Sequence, residues 1–199
     1  MEAPKLIVQV TALRPTVILD EQGLHMTGGG SGPFYGIRPK SEATSLPFLL
    51  GILNSRLFGW FVRGQSTVLR GGYIKFSKQY IENMPIVTKP PKKLHDTLVA
   101  HVDRMLKLHA DLAIAKAPAA LTHLQREIAA TDRAIDQLVY QLYDLTPDEI
   151  ALVEQATAPI VKPTAIPDHG AALPPEAYAQ SRADAAHHYL IEENPPRPA

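Results

Sequence analysis

The chain has 199 residues, of which 45% are hydrophobic, and its formal net charge is zero. This length is sufficient for at least one hydrophobic core. The absence of cysteine excludes disulfides, thiolate catalysis and cysteine-ligated zinc. The N-terminus lacks the basic and apolar regions of a secretion signal. The most apolar run, residues 48–62, is shorter than the roughly 20 residues that cross a bilayer. We therefore expect a soluble protein.

The zero net charge conceals an unequal distribution along the chain. Residues 1–90 contain 10 basic and 5 acidic residues, whereas the remainder contains 10 basic and 15 acidic residues. A basic half next to an acidic half indicates a polyanion, such as nucleic acid, as one class of partner for the basic half.

Short runs of β-branched residues predict strands in the first part of the chain. These runs are residues 5–10 and 16–19, and two further strands are predicted at residues 23–27 and 34–37. A turn or bulge is expected at Arg14-Pro15 and a flexible glycine-rich loop at residues 28–33. Helical spacing of apolar residues then predicts one helix that begins at the N-cap Ser45, holds Pro47 in its first turn and continues through Phe61.

The stretch VLRGGYIKFSKQYIENMPIV, residues 68–87, combines a glycine pair with cations that only Glu82 opposes. Gly71-Gly72 predicts a turn, and residues 73–76 predict a strand. Ser77 is then expected to cap a short helix. Pro85 ends that helix, because the residue before a proline avoids helical geometry.

After Lys89-Pro90-Pro91 the pattern becomes helical. Apolar spacing predicts one helix from residue 94 to 112, a break at Ala117-Pro118 and a second helix from 121 to 145 with heptad spacing. Two such helices joined by a few residues predict an antiparallel hairpin.

The end of the chain has two further signals. Thr146-Pro147-Asp148-Glu149 predicts a capping box that opens a third, short helix through Val153. From Ala158 onward prolines dominate, which predicts a largely extended tail with at most a helix at residues 175–190.

Together these elements predict an α+β fold in three parts. A small mixed α/β domain occupies residues 1–90, the helical hairpin with its short third helix occupies residues 91–157, and the proline-rich tail occupies residues 158–199.

The sequence contains no recognisable catalytic or metal-binding motif. The glycine-rich residues 28–32 precede Pro33-Phe34, which favours a flexible connection over a phosphate loop. The spacing of His95, His101 and His109 does not suit one metal on a helix. Asn194-Pro195-Pro196-Arg197 carries arginine where amino-methyltransferases place an aromatic residue against a flipped base, so we interpret it as coincidence. We predict no catalytic residue and no metal ligand.

The basic segment is better explained by a binding surface. Its cations lie on three predicted elements joined by short turns, Tyr73 alternates with Lys75, and Gly71-Gly72 allows close approach of the backbone to a ligand. Arginine suits guanine edges and phosphates, whereas lysine contacts phosphates. The alternative to a binding surface is that these cations are scattered over the protein and are only solvated.

The predicted DNA-binding residues are Arg56, Arg63, Arg70, Tyr73, Lys75 and Lys78. We assign Lys75, Lys78 and Arg63 to phosphate contacts, and Arg70 or Arg56 to base edges.

The segments LLGILNSRLFGWFV and GGYIKFSKQYIENMPIV resemble the DNA-recognition region of adenine-specific restriction–modification methyltransferases that carry a TaqI-like C-terminal specificity domain, including the fused type IIG enzymes. The shared features are Leu53-Asn54-Ser55 in a helix, a strand at Gly71 to Lys75, and Met84-Pro85-Ile86. Residues 98–116 and 124–154 are similar to the helical spacer that follows the domain. The resemblance covers about residues 4–155.

This resemblance implies that the N-terminal α/β part is a target-recognition domain, which reads a short double-stranded DNA sequence, and that the hairpin is a spacer and docking element. Such enzymes place a methyltransferase domain, and some of them a nuclease, upstream. We therefore expect a C-terminal piece or a separately encoded specificity module that cannot transfer a methyl group alone. S-adenosylmethionine is expected on the methyltransferase and no cofactor on this chain. The expected location is the prokaryotic cytoplasm, on DNA and without a membrane.

Two alternatives remain open at this point. The heptad hairpin can instead pair with a second chain, which would make the protein an interaction adaptor that does not bind DNA. An inactive remnant of a decayed gene would show neither property. The sequence specifies neither the recognised site nor whether restriction accompanies modification.

Overall fold

A computed structural model describes residues 3–24, 33–39 and 45–158. The predicted glycine-rich loop at residues 28–32 and the tail from residue 159 lie outside this part of the chain. The fold is α+β, as the sequence predicts. In chain order its elements are β1 (Lys5–Gln9), β2 (Thr11–Ala12), β3 (Val17–Asp20), β4 (Phe34–Ile37), α1 (Leu46–Asn54), α2 (Arg56–Gln65), β5 (Ile74–Lys75), α3 (Lys78–Ile81), α4 (Lys92–Ile114), α5 (Pro118–Leu142) and α6 (Pro147–Ala156).

Strand β1 is the centre of a three-stranded antiparallel sheet with the order β3-β1-β4. Val8 lies opposite Val17 on one side and Tyr35 on the other. Leu6 and Val8 alternate along β1 and are both fully buried, because this face of the sheet is covered by helices. The predicted strand at 23–27 does not form within the described residues, since Gly23 and Leu24 lie in a loop.

The single helix predicted from Ser45 through Phe61 is wrong, because the chain breaks at Ser55 into α1 and α2. Ser55 is extended (φ −70°, ψ 158°), its Oγ accepts the N–H of Phe58 at 3.2 Å, and it donates to the carbonyl of Ile52 at 2.7 Å. One buried side chain thus closes α1 and caps α2. The predicted N-cap Ser45 is confirmed by its bond from the N–H of Phe48.

A second, two-stranded sheet joins β2 to β5 and is absent from the sequence prediction. Thr11 lies opposite Lys75, and Ala12 lies opposite Ile74. Strand β5 is shorter than the predicted strand at 73–76. A two-residue strand has too little periodicity to be recognised in sequence, and its pairing depends on residues more than 60 positions away.

Helices α4 and α5 form the predicted antiparallel hairpin, and α4 packs against α1. At Gly51 of α1, an added Cβ would lie 3.0 Å from both Leu98 and Val102 of α4, so glycine permits this close approach. Of the predicted heptad residues, Ile135 is buried in the same core, and Leu138, Leu142 and Leu145 pack against it. The second half of the apolar seam is therefore covered within the chain, whereas Leu121, Leu124 and Ile128 in the first half are half-buried.

The end of the hairpin is fixed to the preceding domain and to α6. The Tyr143 hydroxyl donates to the carbonyl of Pro85 at 2.7 Å, which gives the Met84-Pro85-Ile86 motif a structural role. The predicted capping box at Thr146 and Glu149 is confirmed. Within the described residues, the helices are either too short or too polar to cross a membrane.

Candidate nucleic-acid interface

The glycine pair forms the turn of a small hairpin, residues 67–75, which we call the glycine hairpin. The N–H of Gly72 donates to the carbonyl of Leu69 at 3.0 Å, and the N–H of Leu69 donates to the carbonyl of Tyr73 at 2.7 Å. Gly71 and Gly72 have φ values of 80° and 82°, in the region that favours glycine. Arg70 therefore lies at the exposed tip of the turn.

The hairpin has one buried and one exposed face. Ile74 and Phe76 are buried in the core, whereas Tyr73 and Lys75 are exposed. This alternation is expected of a strand, whose successive side chains point to opposite faces. Tyr73 and Lys75 thus lie side by side on the exposed face, as the sequence predicts.

The base of the hairpin is held by backbone bonds to the rest of the domain. The N–H of Lys75 donates to Ser66 Oγ at 3.2 Å, and the N–H of Phe76 donates to the carbonyl of Val10 at 2.7 Å. The Tyr35 hydroxyl donates to the carbonyl of Phe76 at 2.8 Å, and burial raises the pKa of Tyr35. The exposed cations consequently project from an anchored base.

Lys78 follows the hairpin directly, at the start of α3. Its side chain is 84% exposed, and its Nζ lies 3.9 Å from the Glu82 carboxylate one turn later. An ion pair this exposed contributes little to stability. The Lys78 ammonium group is therefore accessible to a polyanion.

Arg56 has a partner within the protein. Its Nε lies 3.3 Å from Asp136 Oδ2, and its backbone N–H donates to Asp136 Oδ1 at 2.8 Å. Asp136 belongs to α5 and is 5% exposed. A buried carboxylate thus supplements the Ser55 cap by accepting the first N–H of α2, where the helix dipole favours negative charge, and it also holds the Arg56 side chain.

Burial raises the pKa of Asp136 to about 6. The N–H bond and positive charge of Arg56 act in the opposite direction, whereas the carboxylates of Asp132 and Glu154 raise this pKa further. Burial also raises the pKa of Tyr140. Its hydroxyl is the one buried side-chain polar atom without a hydrogen-bond partner in the part of the chain that the structure describes.

Arg63 lies in a different environment from the hairpin residues. It lines an open recess of about 430 Å³ between α2 and α6. The other lining residues are Trp60, Phe61, Gly64, Gln65 and Ala156. Trp60 is 42% exposed, so an aromatic surface adjoins this cation.

Not every cation of the basic half lies on the surface. Lys5 is 3% exposed, and its Nζ lies 2.9 Å from Asp20 Oδ2. It also donates to the carbonyl of Leu24. Lys5 holds the pKa of Asp20 below its ordinary value. This pair neutralises one base and one acid inside the domain and leaves the net surplus of residues 1–90 unchanged.

The six predicted site residues therefore fall into distinct settings. Arg70, Tyr73 and Lys75 share the glycine hairpin, and Lys78 follows it. Arg56 is bound to Asp136, and Arg63 lies beside α6. The sequence reasoning overlooked Thr11, Leu13, Thr67 and Leu69, which adjoin Tyr73 or Lys75. Thr11 and Leu13 flank the buried Ala12, but Thr67 and Val68 are both exposed, so no regular alternation in the sequence marked this set. The pairing of β2 with β5 was needed to bring Thr11 beside Lys75.

No three His, Asp or Glu side chains are grouped to hold a metal ion within residues 3–24, 33–39 and 45–158. The chemistry available on the hairpin surface is that of ion pairing, hydrogen bonding and aromatic or apolar contact.

Residues 1–86 match the family model described as the TaqI-like C-terminal specificity domain. No curated protein matches the chain significantly. The matched region contains both sheets, α1, α2, the glycine hairpin and α3, and it ends before α4 begins at Lys92. The resemblance expected from the sequence is thus confirmed: residues 1–86 are similar to a TaqI-like C-terminal specificity domain.

Proposed function

We propose that this chain recognises a specific double-stranded DNA sequence for an adenine-N6 methyltransferase of a restriction–modification system, and that it supplies specificity rather than chemistry. The family match over residues 1–86 supports sequence recognition of DNA in a restriction–modification system. The adenine-N6 specificity, and the separation of DNA recognition from methyl transfer, go beyond that match and belong to our proposal.

The glycine hairpin is the observation on which the proposal chiefly rests. Beyond the β2–β5 pairing it narrows to two backbone segments closed by a glycine turn, with Arg70 at the tip, while Lys75 lies on the exposed face at its base. The major groove of B-DNA admits a two-stranded β-ribbon. An exposed arginine at the end of such a ribbon can reach guanine O6 and N7, while lysines at its base contact phosphates.

The assignment of individual residues follows their settings. Arg70 is our candidate for a base edge, and Lys75 and Lys78 are candidates for phosphates. Arg63 remains a candidate phosphate contact beside its aromatic neighbour Trp60. Arg56 remains a predicted base contact. To reach a base, its side chain would have to give up the ion pair with Asp136.

The partner in this proposal is a methyltransferase domain or subunit that binds S-adenosylmethionine. In some systems a nuclease accompanies it. The α4–α5 hairpin, with α6, follows the recognition region and is the proposed spacer and docking element. Of its heptad residues, Ile135 belongs to the core of this chain and Leu138 packs against it, whereas Leu121, Leu124 and Ile128 are half-buried. The packing of the second half of α5 favours a spacer over an adaptor that pairs through Ile135 and Leu138.

Salt dependence of DNA binding tests the proposal directly. The full chain is first used to select its preferred sequence from a randomised duplex library. Affinity for that duplex is then measured by fluorescence anisotropy across a series of salt concentrations. The logarithm of the affinity should fall linearly with the logarithm of the salt concentration, by about 0.9 for each phosphate neutralised. Affinity that is insensitive to salt, or equal for all sequences, would contradict it.

The partnership has a separate test. The reading frame next to the gene should encode a methyltransferase domain with an Asn-Pro-Pro-aromatic motif, in which the aromatic side chain stacks on the flipped adenine. Co-expression of the two products should place N6-methyladenine in the selected sequence. Methylation of the same sequence by the partner alone would contradict the division of labour.

A further inference from the structure

Two parallel rows of side chains cover the exposed face around β5. Thr11 lies opposite Lys75 in the β2–β5 pair, and on the other side of β5 Thr67 adjoins the isolated Val68–Ile74 bridge. All three are exposed. Together they form a polar row with one cation at its centre.

A second row lies next to the first, and we call it the apolar row. It contains Tyr73 and Leu69, whose N–H donates to the Tyr73 carbonyl at 2.7 Å, and Leu13, which lies in the bend directly after Ala12, the last paired residue of β2. Leu13 is 49% exposed and Tyr73 is 44% exposed, while Leu69 is half-buried. The Tyr73 ring carbons lie 3.6 Å from where a Cβ on Gly71 would stand, so the ring rests on the turn.

This surface combines properties that differ from those of a plain phosphate-binding patch. Arg70 and Lys75 provide positive charge, but the same surface also carries the half-exposed side chains of Leu13 and Tyr73. Phosphate contacts do not require apolar surface. The major groove offers one apolar group, the C5-methyl of thymine. The positive charges of Arg70 and Lys75 are therefore complementary to DNA, and the apolar row is complementary to a base edge that carries a methyl group.

We propose that the apolar row reads C5-methyl groups of thymine in the major groove, so that the recognised sequence contains thymine beneath Leu13 and Tyr73. This inference rests on the proposed function and specifies which base feature the hairpin face contacts. Arg70 and Lys75 hold the hairpin in the groove, and the apolar row contributes discrimination through removal of the methyl groups from water.

The test compares two versions of the selected duplex, one with thymine and one with deoxyuridine at every thymine position. Uracil keeps the hydrogen-bonding groups of thymine and lacks only the methyl. Affinity of the full chain for the uracil duplex should be lower by about fourfold for each buried methyl group. The Leu13→Ala and Tyr73→Ala variants should bind the two duplexes more equally, while their dependence on salt is retained.

Leu106→Ala is the matched control, since Leu106 is a 40% exposed leucine on α4. It should keep the full preference for the thymine duplex. Urea unfolding of each variant verifies that the fold is intact. Equal affinity of the wild type for both duplexes would overturn the inference and leave DNA binding itself established. An undiminished thymine preference in both Leu13→Ala and Tyr73→Ala would overturn it as well. Failure to bind any duplex would instead remove the proposed function, and this inference with it.

Discussion

Asn54 bonds to both backbone groups of Val17. Its Oδ1 accepts the Val17 N–H at 3.0 Å, and its Nδ2 donates to the Val17 carbonyl at 2.9 Å. Val17 begins β3, which is an edge strand of the sheet formed by the described residues, and its outer backbone groups pair with no further strand there. One amide at the end of α1 therefore takes the place of a neighbouring strand and ties the helix to the sheet.

Replacing Asn54 by alanine should lower the free energy of unfolding by about 2–3 kcal/mol, because both groups of Val17 lose their partner. Asn83→Ala is the control. Asn83 is exposed and donates to the carbonyl of Gln79 within its own helical region, so its loss should change stability by less than about 0.5 kcal/mol. Urea unfolding monitored by circular dichroism provides both values. Equal effects would mean that the Asn54 bonds are not significant for stability.

The buried carboxylate of Asp136 predicts a pH-dependent stability. Its pKa is about 6 in the folded protein against an ordinary value of 3.8, so the folded state binds the proton more tightly than the unfolded state. The stabilising contribution of the protonated form is complete below about pH 4 and is lost as pH rises through 6. The loss amounts to roughly 2–3 kcal/mol.

Asp136→Asn should remove this dependence while its Oδ1 still accepts the Arg56 N–H. The free energy of unfolding of the variant minus that of the wild type should rise by the same roughly 2–3 kcal/mol between pH 4 and pH 7. Urea unfolding at four pH values measures it. Asp103→Asn, at an exposed position on α4, is the control. A difference for Asp136→Asn that stays constant with pH would show that this carboxylate does not titrate as described.

The glycine turn should be sensitive to a single methyl group. Gly71 has a φ of +80°, which costs a residue with a Cβ roughly 1–2 kcal/mol. The Gly71→Ala variant should therefore distort the hairpin tip and weaken DNA binding while the core remains folded. At Gly64 of α2, an added Cβ would meet no atom within 4 Å.

Gly64→Ala should accordingly be tolerated and stabilise the protein by about 0.5–1 kcal/mol, because alanine favours helix. DNA affinity and thermal unfolding of the two variants are compared side by side. Normal DNA affinity in Gly71→Ala would indicate that the tip of the turn makes no contact.

Local signals explain which parts of the fold could be predicted from sequence. The capping box at Thr146 and Glu149 involves residues three positions apart, so it is visible in the sequence and confirmed in the structure. The break at Ser55 was hidden because apolar spacing continues across it. Its geometry depends in part on Asp136, which lies 80 residues away.

The candidate interface likewise combines features set by neighbouring residues with features set by distant ones. Tyr73, Lys75 and the glycine turn are neighbours in sequence and therefore could be placed together from their pattern. The contribution of Leu13 depends on pairing between segments that lie about 60 residues apart. The ion pair of Arg56 depends likewise on the return of α5 to α2. The sequence does not show whether a cation is exposed when its ion-pair partner lies on a helix that is distant along the chain.

Individual cations should change the salt dependence in a graded way. Removal of a phosphate contact lowers the slope of log affinity against log salt by about 0.9. We expect this for Lys75→Ala. If Arg70 reads a base, Arg70→Ala should also reduce discrimination against a mismatched duplex by about 1–3 kcal/mol. Lys107→Ala, an exposed lysine on α4, should leave the slope unchanged. A reduced slope for Lys107→Ala would place DNA on the helical hairpin instead.

The central claim is that DNA lies on the glycine hairpin, and charge reversal at two positions tests it most directly. The Arg70→Glu/Lys75→Glu double variant is compared with the Lys93→Glu/Lys107→Glu double variant, whose lysines are exposed on α4. Both changes alter net charge equally. At one salt concentration, the hairpin variant should lose DNA binding while the α4 variant retains nearly wild-type affinity. Equal losses in the two variants, or a loss confined to the α4 variant, would contradict the account.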